Sequence, residues 1–171
     1  MLRGERLLLR AWHPGDIDAL AALRNDVALQ ELLMANARPN SPEAVRQWAI
    51  DRSTRQDMVF FVIAAAEDDR VLGYIQVASV DRFNGTGDLG ICIGPASQGH
   101  GIAAEACALL EQYLRGSIGL RKLTLRVLAD NERAIRFYLK SGYREVGKLL
   151  RHHRKAGSFA DVLLMERFID A

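Results

Sequence analysis

Residues 88–106, DLGICIGPASQGHGIAAEA, constrain this chain more than any other segment. An apolar run, Leu89 to Ile93, stops at Gly94-Pro95. A loop with Gln98-Gly99-His100-Gly101 follows. Ile102, Ala106, Leu109, Leu110 and Tyr113 then recur at helical spacing. Strand, glycine loop and amphipathic helix in this order bring backbone amides to one point. Glycine lets that backbone approach a ligand without a Cβ clash. The first helical turn adds unpaired N–H groups at the positive end of its dipole. Phosphate or pyrophosphate suits such a site, and a plain strand-to-helix connection is the alternative. A Walker loop needs Lys-Ser/Thr after its second glycine, where Ile102-Ala103 stand. The dinucleotide fingerprint is incomplete here, and the next strand ends in Val127-Leu128 rather than an acid.

Around this segment the periodicities predict a first strand over 5–11, then a helix from Pro14 to about Asn25. A loop through Asn36, Pro39 and Asn40 leads to a helix capped by Ser41, with Pro42 at its first position, running to about Arg55. Strands over 58–66 and 71–80 form a hairpin about Asp68-Asp69, and Asn84-Gly85 turns the chain into the strand 88–94. After the glycine loop come a helix to about Leu114, a strand 122–128, and a helix 131–140 capped by Asp130 or Asn131. Strands over about 142–150 and 159–168 finish the chain. The order β-α-α-β-β-β-α-β-α-β-β is α+β (mixed α/β), with a largely antiparallel sheet and βαβ units in its second half.

At 171 residues the chain suits one domain, 1–171, with a substantial core. Its 49% apolar and 26% charged content is globular, and a net charge of +2 points to neither nucleic acid nor membrane. Cys92 and Cys107 form no CxxC pair, so neither a metal site nor a disulfide framework is expected. Reduced thiols in a cytoplasmic protein are the simple reading. The opening MLRGERLLLRAW does not read as a signal peptide, and no run approaches the length expected of a membrane span.

Gln98-x-x-Gly101-x-Ala103 matches the Q/R-x-x-G-x-G/A signature of the GNAT acetyltransferases, preceded at the right distance by Ile91-Cys92-Ile93 and Pro95. Asn131-Glu132-Arg133-Ala134-Ile135-Arg136-Phe137-Tyr138-Leu139-Lys140-Ser141-Gly142-Tyr143 resembles that family's N-x-x-A-x-x-x-Y-x-K-x-G-F/Y segment. The opening L-x-x-E-R-L-x-L-R and the ending G-S-F-A-D-V-L-L-M look like the RimJ/RimL branch, near the spermidine and amino-sugar N-acetyltransferases. The resemblance covers nearly the whole chain; Ala103 in place of the commoner final glycine is the departure. It implies a GNAT-like fold, with a twisted, mostly antiparallel sheet of about seven strands flanked by about four helices, and acetyl-CoA as co-substrate. The backbone amides of Gln98, Gly99, His100, Gly101, Ile102 and Ala103 would hold the pyrophosphate. Ile91 and Ile93, either side of Cys92, would offer backbone groups to the pantetheine arm where the flanking strands splay. Asn131 would bond the pantetheine or acyl region, Phe137 and Tyr138 would line the thioester, and Lys140 would meet distal phosphates.

Acyl transfer to an amine needs a neutral amine, a polarised carbonyl and a proton for the departing thiolate. Tyr138 is the candidate acid: it lies seven residues, two helical turns, after Asn131, so both project from one face. Packing against the sheet is the alternative role. Asp88 is the candidate base; a solvated carboxylate at a strand end is its other reading. Glu105 reads as structural, and Cys92 reads as a small buried hydrophobe rather than a nucleophile. His100 either neutralises phosphate or is an exposed loop residue. His152-His153 read as an exposed strand end, Asn25 and Asp26 as a helix terminus, and Trp12 and Trp48 as packing residues. The expected reaction is direct attack of a primary amine on acetyl-CoA, the amine belonging to a polyamine, an amino sugar or a protein N-terminus. A non-catalytic acyl-CoA sensor is the rival. Open edge strands make a homodimer a further expectation.

Overall fold

The computed structural model describes residues 1–155 and 157–170. The strands are β1 (Leu2–Arg3), β2 (Leu7–Arg10), β3 (Val59–Ala65), β4 (Val71–Asp81), β5 (Thr86–Ile93), β6 (Lys122–Leu128), β7 (Arg144–Lys155) and β8 (Ser158–Phe168). The helices are α1 (Ile17–Asn25), α2 (Val27–Leu32), α3 (Pro42–Thr54), α4 (Ile102–Tyr113) and α5 (Glu132–Lys140). The described strands form one sheet in the order β1-β2-β3-β4-β5-β6-β8-β7. Every neighbouring pair is antiparallel except β5 and β6.

Two apolar layers cover the sheet. On one face Ile102, Ala106, Cys107 and Leu110 of α4 pack with Tyr138 of α5 over Ile75, Val77, Leu123 and Leu125. On the other, Ile17, Leu20 and Leu23 of α1 and Val45 of α3 cover Phe60, Val62, Tyr74 and Cys92. Strand alternation divides the side chains between the layers: Ile75 and Val77 face α4, and Tyr74 between β4's neighbours faces α1.

Two elements differ from the sequence expectation. β1 is a two-residue strand paired with β2 through Leu2↔Leu9, too short for any periodicity. α2 occupies the segment read as loop. Six residues carry too little periodic signal, and so short a helix forms only with outside support. Asp26 Oδ1 accepts the Leu29 N–H at 2.9 Å. Buried Gln30 donates from Nε2 to the Leu23 carbonyl at 3.0 Å. Ser41 caps α3 as expected, its Oγ accepting from Ala44 N–H at 3.2 Å. Asn131, not Asp130, caps α5. Among the described residues no helix is long and apolar enough to cross a membrane.

The buried titratable groups make stability pH dependent. Burial raises the Tyr74, Tyr138 and Tyr143 phenols above their ordinary 10.0 and pushes the Cys92 and Cys107 thiols from 9.0 up to about 12. Above each ordinary value the unfolded chain has released a proton that the folded chain still binds, so stability falls as pH rises. Thermal melts should be level through neutral pH and decline from about pH 9, each fully shifted group adding up to about 1.4 kcal/mol per pH unit. A melting temperature flat beyond pH 10 would contradict this burial.

Candidate active site

β5 and β6 run parallel for a short distance and then separate. They pair through Thr86↔Lys122, Gly87↔Leu123 and Asp88↔Thr124. Beyond Asp88, β5 stays on β4 as far as Ile93, whereas β6 stays on β8 as far as Leu128. Gly94 N–H donates to the Leu72 carbonyl at 2.8 Å. By alternation, Cys92 and Gly90 turn their backbone groups toward β4, and Ile91 and Ile93 turn theirs toward the gap. The result is an open strand edge, the feature an extended amide-bearing chain can join.

A cavity of about 600 Å³ fills this gap. It passes from α4 and α5 on one face of the sheet to α2 on the other, with Asp88 where the strands part. Of the candidate residues, Asp88, Ile91, Cys92, Ile93, Gln98, Gly99, Gly101, Ile102, Ala103, Asn131, Phe137 and Tyr138 line it; His100 and Lys140 do not. His100 borders a smaller neighbouring hollow beside Arg6. Lys140 is exposed in the last turn of α5, away from the Asn131 end of the helix.

The loop ends in Gly101, at φ 74°, and α4 starts without a side-chain cap. The first-turn amides therefore stay free for an anion. Arg6 braces the loop from outside. Its Nη1 donates to the His100 carbonyl at 2.6 Å, and its Nε donates to Glu105 Oε2 at 3.0 Å. Glu105 also accepts the Arg6 N–H at 2.9 Å, which gives it the structural role expected. Gln98 spans the mouth of the gap: Nε2 donates to the Ile93 carbonyl at 3.0 Å, and Oε1 accepts from Arg133 Nη1 at 2.7 Å.

On the α5 side, the Asn131 carboxamide oxygen accepts the Ala134 N–H at 3.2 Å, which turns its Nδ2 into the available donor. Tyr138 is held between Phe137 and Tyr143, with ring centroids 5.2 and 5.5 Å away. Burial, reinforced by the neighbouring Cys107, raises its phenol and keeps it protonated through neutral pH. Asp88 Oδ1 accepts a short hydrogen bond from Thr124 Oγ1 across the last shared rung.

The other candidates sit apart from this chemistry. The Cys92 thiol is 1% exposed in the α1–α3 layer, and burial pushes it up to about 12, so no thiolate forms near neutral pH. Asn25 Oδ1 accepts the Asn40 N–H at 2.8 Å and Asp26 caps α2, both helix-end roles. His152 and His153 lie on β7, and Trp48 packs edge-on against Phe60 and Tyr74. Among the described residues no group of three or more His, Cys, Asp or Glu side chains is placed to hold a metal ion.

Sequence reading missed Arg6, Arg133, Gln76 and the wall formed by Leu29 and Leu32 of α2 with Leu33 and Met34 just after it. Arg6 and Arg133 lie inside the quoted motifs, yet nothing local says that they reach the loop. A family model described as an acetyltransferase (GNAT) domain matches residues 6–144. The chain is 26% identical over 158 residues to the SPbeta prophage-derived uncharacterized N-acetyltransferase YokL of Bacillus subtilis, covering 92% of this chain and 87% of that one. It is 29% identical over 98 residues to spermidine N(1)-acetyltransferase of Escherichia coli, 57% of this chain and 53% of that one. The crystal structure of spermidine N-acetyltransferase from Vibrio cholerae in complex with CoA and spermine shares the fold, with a TM-score of 0.87 at 22% identity over 95% of each chain. The match over most of the chain, on the loop and helix that shape the cavity, establishes that the protein belongs to the GNAT acetyltransferase family and is an acyl-CoA-dependent N-acetyltransferase.

Proposed function

We propose that the enzyme transfers acetyl directly to a primary amine, of a small molecule or of a protein N-terminus, with no covalent enzyme intermediate. One observation carries this reading: a single cavity crosses the sheet at the β5–β6 gap, so donor and acceptor can meet there from opposite faces. The site fits coenzyme A in its own chemistry. Uncapped α4 amides suit a pyrophosphate, the Ile91 edge suits an amide-bearing arm, and Phe137 and Tyr138 give the far end an apolar lining. Acetyl-CoA, when bound, supplies the acyl thioester.

The amine nitrogen bonds to the carbonyl carbon, and the carbon–sulfur bond breaks with its electron pair on sulfur. Tyr138, neutral because it is buried, donates the proton that sulfur needs. Asp88 at the parting of the strands takes the proton lost by the amine, directly or through water. Asn131 Nδ2 orients the acyl end from the start of α5. Cys92 takes no part, since its thiol is buried and stays protonated. The spermidine acetyltransferase relatives support an amine as the acceptor.

Calorimetric titration with acetyl-CoA, with ATP as comparator, followed by thiol release across a panel of amines, tests this. Micromolar acetyl-CoA binding, weak ATP binding and release with primary amines are expected. Binding without release for any amine would leave the non-catalytic sensor instead. No binding to folded protein would remove both.

A further inference from the structure

On the α1–α3 face, Gln76 of the cavity wall adjoins a pair of guanidinium groups with no ion-pair partner among the described residues; the pair itself lies one side chain behind the lining. Arg24, in the last turn of α1, and Arg52, in the last turn of α3, both lie against the ring of Trp48, at 4.4 and 4.8 Å from its centroid. Arg52 Nε donates to Gln76 Oε1 at 2.9 Å, and Gln76 lines the cavity. Arg24 Nε is buried with no hydrogen-bond partner, and its Nη2 reaches Asn40 Oδ1 only at 3.5 Å. Among the described residues neither guanidinium has a carboxylate at ion-pair distance. Asp51, the acid nearest in effect to Arg52, is engaged by Gln47 Nε2 at 2.7 Å. Arg38 and Arg55 add to the positive field, and burial lowers the pKa of both Arg24 and Arg52.

Native proteins rarely desolvate two like charges without an anion, because each loses hydration with nothing returned. Arginine presents a planar fork that fits a carboxylate. The lobe itself is apolar, walled by Leu29, Leu32, Leu33 and Met34, and Asp88 is the single carboxylate lining the cavity among the described residues. A polycation would find one acid and two arginines, Arg126 and Arg133, along the whole cavity wall. Gln76 and Ala78 are same-face neighbours on β4, about 7 Å apart by strand geometry. Asp88 lies opposite Ala78. Gln76, which carries Arg52, thus lies diagonally from the candidate base on the same face of the sheet.

We propose that Arg24 and Arg52, stacked on Trp48 beside Gln76, form the acceptor's anion subsite, and that the acceptor is a small primary amine that also bears a carboxylate. The proposal rests on direct acetyl transfer to an amine and narrows its substrate class.

The test compares glycine, glutamate, γ-aminobutyrate and ε-aminocaproate with their amides, and with spermidine, in thiol release by the full chain. At least one acid should exceed its amide about ten- to hundredfold in kcat/KM, the worth of a charged hydrogen-bonded pair. R24Q and R52Q should remove that preference through KM, with acetyl-CoA affinity unchanged. Trp48 fluorescence in a Trp12→Phe background reads acceptor binding without turnover, so failure of transfer and failure of the subsite are distinguishable. Quenching by the acids but not the amides, lost in R24Q and R52Q, supports the subsite even with no thiol released. Equal response to acid and amide, no response to either, or spermidine as the preferred acceptor overturns it.

Discussion

Tyr138→Phe lowers kcat by about 100- to 1000-fold, within the range for losing a general acid. The phenylalanine ring keeps the contacts to Phe137 and Tyr143, with centroids 5.2 and 5.5 Å from the original ring, so the helix and the cavity wall persist. What disappears is one O–H at a point where burial holds the phenol neutral. The variant should bind acetyl-CoA with unchanged affinity by calorimetry and melt within a few degrees of the parent. Its loss should be confined to the proton that sulfur needs. Because the phenol's pKa lies above its ordinary value, rates in the parent should show no descending alkaline limb from Tyr138 below about pH 10. An unchanged kcat would remove Tyr138 from proton transfer and leave it a packing residue.

Gly101→Val abolishes most cofactor affinity, raising the acetyl-CoA Kd by about 100-fold, or about 2.7 kcal/mol. Two costs combine. The residue sits at φ 74°, a region that a β-branched side chain avoids at a cost of about 1–2 kcal/mol. A Cβ built there comes within 3.0 Å of Arg6 Nη2, the guanidinium that holds the loop through the His100 carbonyl. Relieving either strain moves the amides that begin α4. Arg6 is half exposed, so the fold itself should lose little, and the melting temperature separates loss of binding from loss of structure. Parent-like acetyl-CoA affinity in a folded G101V protein would mean that the α4 amides do not hold the cofactor.

The readable parts of the site share one property. The glycine loop, the Asn131 cap and the two-turn spacing to Tyr138 are set by neighbours within one or two turns, and local patterns record them. Helix α2 escaped because six residues held by an Asp26 cap and the Gln30–Leu23 hydrogen bond leave no periodic trace. The long run 26–40 looked like loop for the same reason. His100 and Lys140 stand in suggestive places, but chain direction takes one to a neighbouring hollow and the other to the far end of α5.

By itself, then, the sequence determined the order of all elements but β1 and α2, the strand–loop–helix that presents free amides, and the two-turn spacing of Asn131 and Tyr138 on the following helix. Hydrophobic period, capping residues and glycine at a left-handed turn act over a few bonds, so they are written in adjacent letters. Tertiary structure alone decided the rest. It parts β5 from β6 after Asp88, and it sets Gln98 across the mouth to Arg133, 35 residues away. It brings Arg6 to Glu105 over 99 residues, and it gathers Arg24 and Arg52 from different helices onto one tryptophan. Those contacts depend on how two apolar layers close over a sheet, and no short stretch of the chain carries that information.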